Sequence, residues 1–160
     1  MILVREITAD DWELMRDVRL AALSEAPYAF GSTYAREAAF TREKWRGRVN
    51  ERAVTFLAHE EQADEAPAGL AGVYVEDGDA DLVSMWVRPS ARGLGVGEAL
   101  VKAAVSWTKE HDFGSLHLWV TEANAPARRL YERCGFSPTG ERQPLPSDPT
   151  LPEIRMSRTL

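Results

Sequence analysis

The chain has 160 residues, 44% of them hydrophobic and 28% charged, with a formal net charge of -6. That is the size and make-up of one domain able to bury a core, so a single domain over residues 1–160 is expected. The acidic balance argues against a nucleic-acid partner, no apolar run reaches membrane-spanning length, and the opening MILVREITADDW lacks the charged and apolar regions of a signal peptide.

A single cysteine, Cys134, excludes an internal disulfide and fits a reducing cytoplasm. Ile2 to Ile7 reads as a short strand. Thr8-Ala9-Asp10-Asp11 supplies helix-start chemistry, with carboxylates at the positive end of the dipole. Trp12, Met15, Val18, Leu20 and Leu23 recur at helical spacing as far as about Ser24, and Pro27 lies beyond the end. Tyr28 to Tyr34 reads as a loop whose rings either plug an edge of the core or line a pocket. Thr41 to Asn50 reads as a second helix with Thr41 as its cap. Ala53 to Ala58 and Ala68 to Glu76 read as strands, joined by a solvated, charged loop over Glu60 to Pro67. Asp77-Gly78-Asp79 is a turn, and Asp81 to Val87 is the central strand.

That strand leads into Arg92-Gly93-Leu94-Gly95-Val96-Gly97. A glycine-rich turn entering a helix points free N–H groups at one spot, where the helix dipole favours negative charge. Such a site suits a phosphate or pyrophosphate, with Arg92 as a bidentate donor at the rim. The spacing is neither a P-loop nor a full dinucleotide fingerprint, so a plain tight turn stays open at this point. The helix that follows runs to about His111, with Val96, Leu100, Ala104 and Trp107 on one face. Ser115 to Thr121 alternates as a strand. Asn124 caps a helix through Arg133, closed by Cys134-Gly135. Phe136 to Arg142 reads as a strand, Gln143 to Pro152 with its four prolines as a loop, and Glu153 to Thr159 as the closing strand. The order implies a mixed α/β sheet with helices on both faces.

Two stretches carry a family resemblance. Val87-x-Pro89-x-x-Arg92-Gly93-x-Gly95-Val96-Gly97 resembles the acetyl-CoA pyrophosphate motif of the GNAT superfamily of N-acetyltransferases. Asn124 to Phe136 is similar to that superfamily's second motif, N-x-x-A-x-x-L-Y-x-x-x-G-F. Together they cover about Leu82 to Phe136. Ala26 to Gly31 looks like a segment of many small bacterial members.

The resemblance implies an α/β (α+β) fold: a mixed, mostly antiparallel sheet of six or seven strands. It implies acetyl-CoA as co-substrate and direct attack by a primary amine, on a small molecule or a peptide N-terminus, in a ternary complex. A non-catalytic acyl-CoA-binding module and a transferase of longer acyl groups are the alternatives. Backbone groups of Met85, Trp86 and Val87 would pair with the pantetheine arm. The turn amides Gly93, Leu94, Gly95, Val96 and Gly97, with Arg92, would hold the pyrophosphate. Asn124 would contact the cofactor near its thiol, and Tyr131 matches the usual general acid. Tyr28 and Phe30 fall in a segment that borders the acceptor in similar proteins. The family fixes no base: Asp81, Glu76, Glu25 and a water relay are candidates, and each carboxylate also reads as plain surface. No side-chain spacing points to a metal. No membrane or nucleic-acid partner is expected, and a homodimer is left open.

The chemistry sets the demand on these residues. A lysine-like amine has a pKa about 3.4 units above neutrality, so supplying its free form costs roughly 4.6 kcal/mol. A base or a desolvating pocket must offset part of this, and the acidic balance mildly favours a cationic acceptor. The oxyanion needs an aimed N–H, and the thiolate needs a proton.

Overall fold

The computed structural model describes residues 1–61 and 66–160. The elements in chain order are β1 (Ile2–Glu6), α1 (Trp12–Glu25), α2 (Tyr34–Ala38), α3 (Arg42–Arg46), β2 (Ala53–Glu60), β3 (Gly69–Glu76), β4 (Asp79–Val87), α4 (Val96–Glu110), β5 (Ser115–Thr121), α5 (Ala125–Arg133), β6 (Ser137–Leu145) and β7 (Asp148–Thr159). They form one seven-stranded sheet in the order β1-β2-β3-β4-β5-β7-β6. Every neighbouring pair is antiparallel except β4 and β5, which run parallel. No helix among the described residues is long and apolar enough to cross a membrane.

Both faces of the sheet are covered. On one, α1 turns Met15, Val18, Ala22 and Leu23 onto Leu57, Leu70 and Trp86, and α3 adds Trp45. On the other, α4 buries Val96, Leu100, Val101 and Ala104 against Phe56, Val73, Leu82, Leu116 and Met156. The Thr8 backbone N–H donates to Asp11 Oδ2 at 2.9 Å in a capping box that starts a 3-10 turn over Ala9–Asp11, and α1 continues from it at Trp12.

One irregularity sets up everything that follows. The β3–β4 register steps from Leu70↔Trp86 to Gly72↔Val83, so β4 holds one residue more than its partner. Ser84 takes the extra place, with a left-handed φ of 60°. A strand alternates with period two, so Leu82 and Trp86 would share a face without this bulge. With it, Leu82 packs in the α4 core and Trp86 in the α1 core.

Three expectations are corrected. The segment after Phe30 contains a short helix, α2, capped by Thr33 Oγ1 accepting from the Arg36 N–H at 3.2 Å. The second predicted helix is shorter than expected: α3 stops at Arg46, with Gly47 as its cap. Gln143 to Pro152 is no loop but the tip of the β6–β7 hairpin with the strand residues that flank it, with Pro144 opposite Pro152. The prolines are tolerated because β6 is the outermost strand, and Pro149 and Pro152 lie on β7 before Glu153, the first residue paired with β5. The Ser147 hydroxyl at the hairpin tip donates to the Phe30 carbonyl, tying the hairpin to the segment after α1. Of the charged loop read over Glu60 to Pro67, Gln62 to Glu65 lie outside the described residues.

Candidate active site

β4 and β5 stay in register only at Asp81↔His117 and Leu82↔Leu118. Beyond Leu82 the two strands part. The gap is a cleft of about 580 Å³ whose walls include Leu82, Val96, Val120 and Tyr131 from the α4 side, and Ala26 and Trp86 from the α1 side. The cleft therefore opens through the sheet, with one mouth on each face. Met85, Trp86 and Val87 line it along a strand edge that β5 no longer occupies.

The mouth on the α4 side is the glycine turn. Gly93 and Gly95 have φ of +81° and +86°, and a Cβ on either would meet nothing within 4 Å, so the turn faces open space. Gly97 sits in closer quarters: a Cβ there would lie 2.8 Å from Leu130 Cδ2, so the Leu130 side chain would have to shift where the start of α4 abuts α5. The Ala99 N–H reaches back to the Gly95 carbonyl at 3.1 Å; among the described residues, no backbone hydrogen bond engages the amides of Gly93 to Glu98. Six free amides and a helix start lie together at one mouth, which is what an anion needs. Val96 lines the cleft, whereas the Leu94 side chain is exposed outside it and only its amide belongs to the turn.

Deeper in, Tyr131 is 6% exposed and lies on the cleft wall, edge-on to Phe136 at 6.0 Å. Burial, with the Cys134 thiol beside it, pushes its phenol well above the usual tyrosine range, so it stays protonated at neutral pH. Asn124 also lines the cleft, and its Oδ1 caps α5 by accepting from the Ala127 N–H at 3.4 Å. Tyr28, partly exposed, borders the α1-side mouth. Its carbonyl accepts from Thr121 Oγ1 at 2.6 Å, which fixes the segment against β5.

The acetyltransferase (GNAT) family model matches residues 12–136. The chain belongs to the GNAT acetyltransferase family. Mycothiol acetyltransferase of Rhodococcus erythropolis is 32% identical to it over 136 residues, covering 79% of this chain and 43% of that protein. The chain spans about half or less of the length of the curated relatives it matches. A GNAT acetyltransferase structure from Streptococcus pneumoniae superposes with a TM-score of 0.80 at 18% identity, over 100% of this chain and 99% of that one. The PaiA N-acetyltransferase of Thermoplasma acidophilum, solved in complex with coenzyme A, gives 0.70 at 17% identity over 100% and 99%. At these identities the two structures bear on the fold: it is a GNAT fold.

Within this GNAT chain some expected site residues have other partners. Asp81, expected as a base, is gripped by Arg155 through two hydrogen bonds of 2.7 and 3.0 Å and lies outside the cleft wall. A carboxylate held this way is committed to a bidentate ion pair with Arg155. Phe30, expected beside the acceptor, is 5% exposed in the α1 core, with the Arg19 guanidinium 4.9 Å from its ring centroid. Tyr28 alone of the pair reaches the cleft. Arg92 lines the cleft, but its Nε donates to the Val87 carbonyl at 3.0 Å and its Nη2 pairs with Glu25. It ties the end of β4 to the end of α1. Glu25 is thereby committed, and Glu76 sits at the far end of β3, opposite Asp79.

A buried ionic group was not anticipated. Glu37, with no exposed surface, accepts from Arg19 Nε and Nη2, both at 2.9 Å, and from Arg48 Nη1 at 2.9 Å. Arg19 Nη1 also donates to Ser84 Oγ at 3.2 Å, on the bulge itself. Burial works to raise the Glu37 pKa, but the hydrogen bonds and charges of Arg19 and Arg48 win and hold it at about 2. The sequence signal for this group is Arg19 lying inside the apolar stripe of α1, next to Val18 and one turn before Ala22 and Leu23.

Proposed function

We propose that this GNAT chain, acting as one domain over residues 1–160, transfers an acetyl group from acetyl-CoA to a primary amine by direct attack in a ternary complex. The observation that carries the reading is the cleft through the sheet, with an anion-binding turn at one mouth and a protonated phenol on its wall. The residues fit the donor. Open positions at Gly93 and Gly95 leave room for a pyrophosphate against bare amides, and the β4 edge past Leu82 can pair with an amide-bearing arm. Acetyl-CoA supplies an acetyl carbon activated by its thioester.

The chain's own residues do the rest. The amides of Gly93 to Gly97 bind the pyrophosphate. Backbone groups of Met85, Trp86 and Val87 orient the arm and offer an N–H to the reacting carbonyl. Asn124 lies near the thiol end. Tyr131 Oη holds a proton and gives it to the departing sulfur. On the α1 side, Tyr28 and Trp86 present apolar surface that favours the free amine by desolvation. With Asp81 held by Arg155, ordered water carries the amine proton to solvent. The lone cysteine, free and half-buried, fits work in a reducing cytoplasm.

The test is thiol release from acetyl-CoA against polyamines, amino acids, aminoglycosides and peptides with free N-termini, with calorimetry of acetyl-CoA binding alongside. Binding together with amine-dependent thiol release supports the reading. Tight binding without release to any amine leaves a binding module instead.

A further inference from the structure

A second cavity of about 550 Å³ lies on the α1 side of the sheet, walled by α1, α2, α3 and strands β2 to β4. It shares Val83 and Ser84 with the cleft, so an amine entering from this side has this space behind it. Its charge differs from that of the chain. Arg19, Arg36, Lys44 and Arg48 line it against Glu37 and Glu43. Four cations less two carboxylates leave +2, in a chain whose formal charge is -6. Glu37 is already satisfied by Arg19 and Arg48. Arg36 and Lys44 make no ion pair among the described residues, and Lys44 lies 5.4 Å from the Phe40 ring centroid at the same wall.

We propose that this cavity receives an anionic group of the acceptor, so that the substrate is a primary amine carrying a carboxylate or a phosphate. The proposal rests on the transferase reading above. Net charge alone points the other way, towards a cationic acceptor. Exposed charges are screened over about 10 Å, however, and a walled cavity focuses the field of the charges that line it. The local +2 therefore governs what binds there, and the remote carboxylates do not. Arg36 and Lys44 stand at the rim beside a single carboxylate, Glu43, with which neither forms an ion pair among the described residues, so the rim keeps a surplus positive charge. Arg19 and Arg48, locked on Glu37, hold the floor in place and set the distance to Ser84 and the cleft.

The test pairs amines that differ only by the anion: lysine with cadaverine, ornithine with putrescine, glucosamine 6-phosphate with glucosamine. Thiol release gives kcat/KM for each. In the wild type at least one anionic member should exceed its match by tenfold or more, and the pair that does so separates carboxylate from phosphate. In the double variant Arg36→Gln, Lys44→Gln that ratio should fall towards one, with acetyl-CoA affinity by calorimetry unchanged. Anion-free members equal or superior in all pairs, or a ratio that survives the double variant, would overturn the proposal. Calorimetric titration of the same amines onto the CoA-saturated protein reads the preference without turnover. Tenfold tighter binding of an anionic member supports it, and equal or weaker binding refutes it. If acetyl-CoA does not bind and no amine releases thiol, the transferase reading fails separately.

Discussion

Leu82 on β4 is the last residue that keeps its place opposite β5, where its partner is Leu118. Two positions later Ser84 adopts a left-handed φ, held by Arg19 from α1. The opening of the sheet is thus fixed from both ends: by loss of the parallel ladder on one side and by a buried arginine on the other. The cleft that results is a property of the backbone, to which side chains add chemistry.

The glycine turn should be intolerant of an acid. Gly95→Asp places a Cβ at φ +86°, a conformation costing roughly 1–2 kcal/mol for an L-residue, and a carboxylate where the anion is expected. Acetyl-CoA affinity should fall at least tenfold by calorimetry. Wild-type affinity in this variant would remove the turn from the binding site.

Tyr131→Phe should lower kcat by about a hundredfold, the usual scale of a general acid, with the acetyl-CoA Kd unchanged. Because burial raises the phenol's pKa, ionisation of Tyr131 should cause no fall in rate up to about pH 10. A pH–rate profile that drops in the wild type below that point, and not in the variant, contradicts the raised phenol pKa, and an unchanged kcat in the variant removes Tyr131 from the mechanism.

Glu37→Gln should destabilise the fold by about 3–5 kcal/mol, since it leaves Arg19 buried without its counter-charge. The Glu37 pKa is depressed from 4.5 to about 2 in the folded chain. Its contribution is therefore complete above pH 4.5 and is lost as pH falls towards 2, a linkage of about 3 kcal/mol. Urea titrations of both proteins across that window should show their stabilities converge as pH falls. A gap independent of pH counts against the ionised pair.

Phe30 and Tyr28 should separate. Phe30→Ala removes a ring 5% exposed and should cost roughly 3–5 kcal/mol with the acceptor ranking unaltered. Tyr28→Ala, at a partly exposed position on the cleft mouth, should change stability by about 0.5 kcal/mol or less and alter the KM for the amine. Melting curves and the amine panel on the two variants decide the matter. A reversal of the two outcomes would put Phe30 back in the acceptor wall.

What the sequence disclosed depended on the range of the interaction. β5 runs from Ser115 to Thr121 as expected, because a half-buried strand writes its alternation into its own residues. The glycine turn was equally legible, since positive φ and close approach leave glycine as their trace. The bulge left no such trace: its left-handed residue is a serine, stabilised by an arginine 65 positions away. Asp81 looked like a free carboxylate because its partner, Arg155, is 74 positions distant. The prolines of the hairpin were read by the rule for inner strands, and only the strand order shows that they sit at an edge or past the last inner pairing.

That edge bears on behaviour in concentrated solution. β6 is exposed along almost its whole length and ends the sheet, the position from which chains zip into fibrils or strand-swapped pairs. Pro138 and Pro144 offer no N–H to an incoming strand, and the register breaks between Pro138 and Arg142 and again between Pro144 and Leu145. A second copy aligned along β6 would find a ladder with rungs missing at both ends. Long continuous pairing between copies is thereby disfavoured along β6, a restraint built from prolines and register breaks.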